Sequence, residues 1–218
     1  FCFYNHVAIA AKYIQQKYKK NKILIVDWDY HHGNSTEYFF YNDPSVLFFS
    51  THDAFAYPGT GYPDRNGEGK GMGYNINIHL PCETNDEDII KVFNNHLITK
   101  ADLFKPDFIL ISAGFDSKKG DPLGCFNITD NGFRSLTKKL MQSAKEICEG
   151  KILMTHEGGY SAATVPFFAH AVIETLAQED TGIKDPFQNI IGNLGQQELQ
   201  PHQDQLILEV ENLLKNIK

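Results

Sequence analysis

Short apolar segments rich in β-branched residues alternate with segments of helical periodicity along most of this chain. The apolar segments are residues 22–28, 46–50, 74–80, 107–112 and 151–155. Apolar residues recur at helical spacing over residues 7–18, 86–104, 131–147, 162–177 and 203–217. Continuous apolar strands that alternate with helices predict a single α/β domain with a mostly parallel sheet and helices on both faces.

The composition matches one globular domain and argues against two classes of partner. The chain has 218 residues, of which 42% are hydrophobic and 22% charged, and its formal net charge is −7. The one basic run, residues 17–22, falls at a predicted helix end, so we expect no direct nucleic-acid partner. No apolar run approaches the roughly 18 residues of a membrane helix, so no membrane association is expected. Nothing in the pattern predicts an oligomeric state.

Four cysteines, Cys2, Cys82, Cys125 and Cys148, are distant from one another in sequence and lack C-x-x-C spacing. Such usage is typical of a protein from a reducing compartment. We therefore expect a cytoplasmic location, or a nuclear one if the source is eukaryotic. The chain begins with Phe1 rather than methionine, so a targeting segment upstream stays an open alternative.

Polar residues that are costly to bury follow three of the predicted strands. The segments are DWDYHHGN (27–34), SAGFDS (112–117) and HEGGY (156–160). Ligands of open α/β sheets bind outside the carboxyl ends of the strands, so we expect these three segments to meet at one edge of the sheet.

The first of these segments has the spacing of a metal site. Asp27, Asp29 and His31 follow the two-residue period of an extended chain, so their side chains share one side. Asp116, which follows an apolar strand and a bend at Gly114, is the best candidate for a third ligand beside Asp29 and His31. Three protein ligands plus an open position form a catalytic zinc site. A single Asp or His at a strand end is more often a cap or turn residue, but the clustering favours a metal.

Two glycine-containing segments are also candidates for function. The loop over residues 58–73 is long for a compact domain, and such loops are commonly functional. Its GEGKGMG stretch (67–73) matches neither nucleotide-binding glycine pattern. Gly158 and Gly159 precede Tyr160 and let the backbone approach a ligand, although a core or rim role for the tyrosine stays open.

Five motifs, in this order and at these separations, resemble the zinc-dependent histone deacetylase family, nearest its class II and bacterial branches. They are FCFYN (1–5), DWDYHHGN (27–34), SAGFD (112–116), GDPLG (120–124) and EGGY (157–160). The resemblance covers residues 1–178 and implies an architecture shared with arginase. It also implies hydrolysis of the amide bond of acetyl-lysine or a related acylated amine.

The resemblance implies roles for the clustered polar residues. Asp29, His31 and Asp116 match the zinc ligands of the family, in agreement with the argument from the strand ends. Tyr160 matches the tyrosine that donates a hydrogen bond to the developing oxyanion.

The same resemblance implies a substrate tunnel. Phe1 and Tyr57 match the aromatic pair that encloses the stem of an acetyl-lysine, with Tyr57 where phenylalanine is usual. Gly159 matches a further position of this tunnel.

Two more matches concern residues behind the site. Asp27 and Asn34 match the partners of two adjacent histidines, the general base and its companion, and Asp27 and Ser50 match part of a structural potassium site. In the family the two histidines precede the FCFYN motif, where this chain has no residues. His31 and His32 do not substitute, because His31 is needed for the metal. Residues 1–218 are therefore expected to be the C-terminal part of a deacetylase-type catalytic domain, inactive alone.

Three alternatives to an acetyl-lysine deacetylase stay open at this point. Acetylpolyamine hydrolysis is the nearest, since it uses the same chemistry. A zinc-holding interaction module without turnover is the second, and the upstream histidine pair distinguishes it from an enzyme. A binuclear manganese ureohydrolase of arginase type requires a D-A-H-x-D motif, which the sequence lacks.

Overall fold

The computed structural model of the chain describes residues 3–191 and 199–215. Its strands are β1 (Ile23–Asp27), β2 (Val46–Asp53), β3 (Asn75–Leu80), β4 (Phe108–Ala113) and β5 (Ile152–His156). Its helices are α1 (His6–Tyr18), α2 (Asn34–Phe40), α3 (Asp86–Val92), α4 (Thr99–Phe104), α5 (Asp130–Cys148), α6 (Val165–Ala177), α7 (Gln188–Ile191) and α8 (Pro201–Lys215). A π-helical segment, Phe93–Ile98, joins α3 to α4, so the helix predicted over residues 86–104 is continuous.

All five strands run parallel in one sheet with the order β3-β2-β1-β4-β5. Strand β1 lies at the centre, where Asp27 pairs in register with Ser50 of β2 and with Ser112 of β4. Strands β1 to β4 are almost entirely buried, which explains why their apolar runs are continuous rather than alternating. The predicted parallel α/β fold is confirmed.

Separate hydrophobic clusters cover the two faces of the sheet. The smaller cluster contains Val7 and Ala11 of α1 together with Ile25 of β1. The larger cluster contains Trp28, which follows β1, and Phe133 of α5. The ring centroids of these two residues lie 5.9 Å apart. Because successive residues of β1 belong to opposite clusters, the side chains that continue past its end also divide between two sides.

Helix α1 begins at a residue that can cap it. The Asn5 side chain accepts a hydrogen bond from the Ala8 backbone N–H at 2.8 Å, which satisfies an otherwise free donor of the first turn. The same side chain donates to Thr36 Oγ1 at 2.9 Å. Asn5 therefore fixes the start of α1 against α2.

Three elements differ from the sequence prediction, and one of them, the four-residue helix α7, is too short to show apolar periodicity. Strand β2 ends at Asp53, three residues beyond the predicted end at residue 50. The prediction stopped too early because His52 and Asp53 are polar, and hydropathy does not identify buried polar residues as part of a strand. Helix α2 was not predicted. It has only seven residues, NSTEYFF, and begins after Gly33 without a side-chain cap, so neither periodicity nor a start signal identifies it.

Two cysteines that are distant in sequence are adjacent in the structure. Cys82 and Cys125 form a disulfide, with 5.2 Å between their Cα atoms and a sequence separation of 43. Cys148 is free and buried. The spacing of the cysteines does not predict this pairing, because it joins two loops that only the fold brings together.

Within residues 3–191 and 199–215, no helix combines the length and the apolar character needed to cross a bilayer.

Candidate metal centre

Asp29, His31 and Asp116 lie together just beyond the carboxyl ends of β1 and β4. One ligand atom from each residue can be chosen so that all of these atoms lie within 4.8 Å of one another. The two strands are neighbours in the sheet, so the segments that follow them start side by side. Among residues 3–191 and 199–215 this is the only group of three or more such side chains at that spacing.

Hydrogen bonds hold the three side chains in place. His31 Nδ1 lies 2.9 Å from Asp116 Oδ2 and 3.2 Å from Asp29 Oδ1. The backbone N–H of Gly158 donates to Asp29 Oδ2 at 3.0 Å, and that of Tyr30 donates to Asp116 Oδ1 at 2.9 Å. Each carboxylate is therefore oriented by a backbone donor while it faces the imidazole.

The charges of the group are strongly coupled. Burial raises the pKa of Asp116 to about 6, although hydrogen bonds from His31 and the Tyr30 backbone act in the opposite direction. Burial lowers the pKa of His31, but the hydrogen bonds to Asp116 and Asp29 outweigh it and raise that pKa to about 10. In the absence of a metal ion, a protonated His31 therefore neutralises part of the carboxylate charge. A divalent cation would take over this function.

Glycine residues leave the space that the two carboxylates occupy. A Cβ added at Gly114 would collide with Asp29 Oδ2 and would lie 2.6 Å from its Cγ. A Cβ added at Gly158 would collide with Asp116 Oδ2 and would lie 2.6 Å from Asp29 Oδ2. Contacts this short do not occur for real side chains, so glycine at both positions is needed for this geometry.

The donor set fits a metal ion. Two carboxylates and one imidazole are ligands that zinc accepts, and three protein ligands leave one position open. Asp116 is fully buried, and a buried charge is costly unless it is paired or coordinates a metal. The group faces a cleft of about 1020 Å³, so a further ligand can reach it.

Two tyrosines stand beside this group at the cleft. The ring centroids of Tyr57 and Tyr160 each lie 6.4 Å from that of His31. Tyr57 is 65% exposed and Tyr160 41% exposed. Gly159 precedes Tyr160 with a φ of 124°, a conformation that favours glycine and lets the chain turn at this point. The structure thus brings three of the predicted tunnel and catalytic positions to the cluster, whereas Phe1 lies outside the described residues.

The three residues predicted to lie behind the site differ in burial. Asp27 is buried, and its pKa is raised well above its usual value, chiefly by burial and then by the charge of Asp29. Asn34 starts α2 and is exposed along the cleft. Ser50 is fully buried and pairs with Asp27 in register, but its hydroxyl lies 3.0 Å from His52 Nδ1. Asp27 and Ser50 are therefore neighbours, and the potassium site remains a prediction.

His32, which follows the candidate ligand His31, is buried. Its Nδ1 lies 2.8 Å from Thr60 Oγ1 and its Nε2 lies 3.4 Å from Glu37 Oε2. His32 is not one of the predicted ligands, and its polar partners are side chains of α2 and of the loop over residues 58–73. This loop is therefore anchored to the chain that carries the cluster.

Sequence reasoning missed one residue that supports the cleft. Asp121 is buried, and its Oδ2 accepts a hydrogen bond from the Tyr160 backbone N–H at 2.9 Å. It belongs to the GDPLG motif (120–124), which was noted as a motif without a role for its aspartate. In the sequence, an aspartate between a glycine and a proline resembles a turn residue, so only the fold reveals its partner.

Comparison with known proteins shows which family the chain resembles. The protein-family model described as the histone deacetylase domain matches residues 1–176 of the chain. A probable deacetylase of Archaeoglobus fulgidus is 36% identical over 220 residues, which cover 100% of this chain and 60% of that protein. Histone deacetylase 15 of Arabidopsis thaliana is 42% identical over 184 residues, which cover 83% of this chain and 32% of that protein.

Solved structures show the same similarity. The crystal structure of the HDA15 HD domain superposes with a TM-score of 0.82 at 37% identity, over 98% of this chain and 55% of that chain. The structure of the histone deacetylase Clr3 superposes with a TM-score of 0.84 at 32% identity, over 99% of this chain and 35% of that chain. The chain spans 60% or less of the length of these relatives. One family model matches most of its sequence, and solved structures of the same family share its fold. The chain belongs to the histone deacetylase family.

Proposed function

We propose that the protein hydrolyses the amide bond of an acetylated lysine, or of a related acylated amine, with zinc held by Asp29, His31 and Asp116. Membership of the histone deacetylase family supports deacetylation as the reaction. The observation that carries the proposal is the cluster of one imidazole and two carboxylates, with ligand atoms within 4.8 Å of one another at an open cleft.

The chain's own residues fit zinc in charge and in number. When bound, zinc would supply Lewis acidity, which polarises a substrate carbonyl and brings the pKa of a water molecule to about 7. Asp29 and Asp116 would balance its charge. His31 would bind it as the neutral imidazole, because only the deprotonated ring nitrogen is a ligand.

Tyr160 is proposed to stabilise the transition state. Its ring lies beside His31 at the cleft, and its backbone is fixed by Asp121, so the residue stands where the acyl carbonyl would lie. A donor of this kind is typically worth about 10²- to 10³-fold in kcat. Tyr57 and Gly159 are proposed to line the path of the acylated side chain, together with Phe1.

The proton acceptor of the reaction is proposed to come from residues that precede the FCFYN motif in the whole protein. Asp27 and Asn34 are proposed to orient it. Three histidines line the cleft in the described part of the chain: His31 is a proposed ligand, His32 contacts Thr60 and Glu37, and His6 is an exposed residue at the start of α1. Residues 1–218 are accordingly proposed to be the C-terminal part of the catalytic domain.

We make three further proposals, on the substrate, a second metal ion and the cellular location. The substrate is an acetylated protein or an acetylated polyamine. A structural potassium ion is bound near Asp27 and Ser50, which lie side by side on β1 and β2. The protein acts in the cytoplasm or, in a eukaryote, in the nucleus.

The experiment is an assay of the whole protein, loaded with zinc, on a fluorogenic acetyl-lysine peptide and on an acetylated polyamine. Tyr160→Phe should lower kcat on the peptide by about 10²- to 10³-fold with little change in KM, because the hydroxyl acts chiefly on the transition state. Tyr38→Phe, an exposed position on α2, is the matched control and should leave both constants unchanged.

Each other outcome points to a rival function. A higher kcat/KM for the polyamine would make acetylpolyamine hydrolysis the function. No turnover of either substrate by zinc-loaded whole protein would favour an interaction module. An unchanged kcat in Tyr160→Phe would remove this residue from the mechanism.

A further inference from the structure

The disulfide between Cys82 and Cys125 joins two loops at the edge of the sheet that carries the candidate metal centre. Cys82 lies between β3 and α3, and Cys125 lies in the segment that runs from Asp116 to α5. The Cα atoms are 5.2 Å apart, within the range of protein disulfides. The bond therefore ties the segment that follows a candidate metal ligand to a neighbouring loop.

The two loops are held together by backbone contacts on both sides of the cysteines. The N–H of Glu83 donates to the carbonyl oxygen of Cys125 at 2.8 Å, and the N–H of Asn127 donates to the carbonyl oxygen of Thr84 at 2.7 Å. These hydrogen bonds do not depend on the S–S bond. The two cysteines are therefore held close to each other by contacts other than the S–S bond.

The pair is also accessible to small molecules. Cys82 is exposed and Cys125 is half-buried, whereas the third described cysteine, Cys148, is buried. Exposed disulfides are the ones that thiol reductants attack, and structural disulfides are usually shielded. Access and pre-alignment together distinguish this pair from a permanent structural bond.

Cys125 contacts two residues that lead to the candidate metal centre. Its Sγ lies 3.2 Å from the Tyr30 hydroxyl and 3.3 Å from Asp53 Oδ2. The Tyr30 hydroxyl donates to Asp53 Oδ2 at 2.8 Å, and the Tyr30 backbone N–H donates to Asp116 Oδ1. Cys125 therefore contacts Tyr30, which is the residue between the candidate ligands Asp29 and His31.

The same carboxylate holds the loop that carries a proposed tunnel residue. Asp53 Oδ1 accepts hydrogen bonds from the backbone N–H groups of Phe55 at 2.7 Å and Ala56 at 3.1 Å, directly before Tyr57. A thiol at Cys125 can donate a hydrogen bond to Asp53, whereas a disulfide sulfur has no hydrogen to donate. Opening the bond therefore changes the hydrogen bonding of Asp53.

We propose that Cys82 and Cys125 form a reversible thiol–disulfide site that sets the rigidity of residues 117–128. Hydrogen peroxide oxidises the exposed Cys82 thiolate to a sulfenic acid. The Cys125 thiol then attacks that sulfur, the S–S bond forms, and water leaves; in total, two thiols and one peroxide give one disulfide and two waters. A low-molecular-weight thiol such as glutathione reverses the reaction in two exchange steps and is itself oxidised to its disulfide.

The experiment uses the whole protein, prepared reduced and then treated with a small excess of hydrogen peroxide under native conditions. Free thiols are alkylated, the protein is digested, and the peptides are identified by mass spectrometry. We expect a cross-linked peptide pair that contains Cys82 and Cys125, which glutathione converts back to two alkylated peptides without unfolding. Alkylation of Cys148 should not change between the two states and serves as the internal control.

Amide hydrogen exchange then tests the structural effect. Residues 117–128 should exchange several-fold faster in the reduced protein than in the oxidised one, and Cys82→Ser should resemble the reduced protein under both conditions. Because Cys82 is exposed, the serine should not prevent folding. The proposal is overturned if peroxide leaves both thiols free, if glutathione cannot open the bond in the folded protein, or if exchange of residues 117–128 is the same in both states. None of these readouts depends on bound zinc or on turnover.

Discussion

The backbone N–H of Tyr160 donates a hydrogen bond to Asp121, with 2.9 Å between the nitrogen and Oδ2. The other oxygen of Asp121 accepts from the Leu123 backbone N–H at 3.0 Å. Asp121 is buried, so both contacts are shielded from water. One carboxylate therefore joins the segment after Asp116 to the segment that carries Tyr160.

We expect Asp121→Ala to lower kcat of the whole protein by about 10- to 10²-fold, because an unsupported Tyr160 is misplaced relative to the reacting carbonyl. KM should change by less than about threefold, since Tyr160 acts on the transition state. Asp121→Asn keeps one oxygen acceptor but faces the other backbone N–H with an NH2 group, so it should recover only part of the loss. Steady-state kinetics on the acetyl-lysine peptide check this.

The matched control is Asp102→Ala on α4, an exposed aspartate far from the cleft residues. It should leave kcat and KM unchanged. Equal kcat for Asp121→Ala and Asp102→Ala would show that the contact to Tyr160 has no part in catalysis.

A methyl group at Gly158 should weaken metal binding. Its Cβ would collide with Asp116 Oδ2 and lie 2.6 Å from Asp29 Oδ2, so at least one carboxylate must move. Mutation of residues that orient metal ligands typically lowers metal affinity by about 10- to 10²-fold. We expect a loss of this size for Gly158→Ala in a competition titration with a zinc chelator.

Gly182→Ala is the control for this substitution, because an added Cβ there meets nothing within 4 Å, although its φ of 71° also disfavours alanine. It should bind zinc as tightly as the unmodified protein. If Gly158→Ala binds zinc with unchanged affinity, the space at this glycine is not needed by the ligands.

The buried Glu37 should make stability depend on acid pH. Burial raises its pKa, but the His32 ring, whose Nε2 lies 3.4 Å from Glu37 Oε2, and hydrogen bonds from Asn77 and Arg65 outweigh this and lower the pKa to about 2. Because the folded value lies below the ordinary value of 4.5, the stabilisation is present above about pH 4.5 and is lost as the pH falls toward 2. After allowance for solvent screening, we expect about 2 kcal/mol.

Urea unfolding of the unmodified protein and of Glu37→Gln at several pH values measures this contribution. The difference in the free energy of unfolding should be largest above pH 5 and should shrink between pH 4.5 and 2.5. Glu146→Gln, at an exposed position of α5, is the control and should show no such difference. A Glu37→Gln difference that does not vary with pH would contradict the assignment.

The 218 residues alone should be a poor catalyst. The proposed proton acceptor precedes the FCFYN motif, and loss of general acid–base catalysis typically costs about 10²- to 10⁴-fold. We expect kcat/KM of the isolated chain, at matched zinc content, to fall below that of the whole protein by such a factor. Comparable values would place the base within the 218 residues.

Much of the fold could be predicted because its signals are local. Helix α1 and the helical stretch from α3 to α4 show apolar periodicity, and the apolar runs of β1 and β4 are continuous because both faces are covered. The closeness of Asp29 and Asp116 follows from a general rule, since the carboxyl ends of neighbouring parallel strands share one edge. That zinc binds there stays a prediction.

What could not be predicted depends on contacts between distant segments. His52 and Asp53 belong to a strand because the loop over residues 58–73 and the Tyr30 hydroxyl provide their polar partners. The Asp121 carboxylate and the Cys82–Cys125 bond both join loops that are far apart in sequence. No local pattern of residues records such partners, so only the three-dimensional structure identifies them.

The central claim is that Asp29, His31 and Asp116 bind one zinc ion, and metal analysis tests it most directly. Purified chain should contain one zinc per molecule, and Asp29→Ala and Asp116→Ala should each lose it while Asp102→Ala keeps it. Circular dichroism of each variant shows whether the fold is intact. If both ligand variants retain full zinc occupancy with an intact fold, the ion is bound elsewhere and the assignment is wrong.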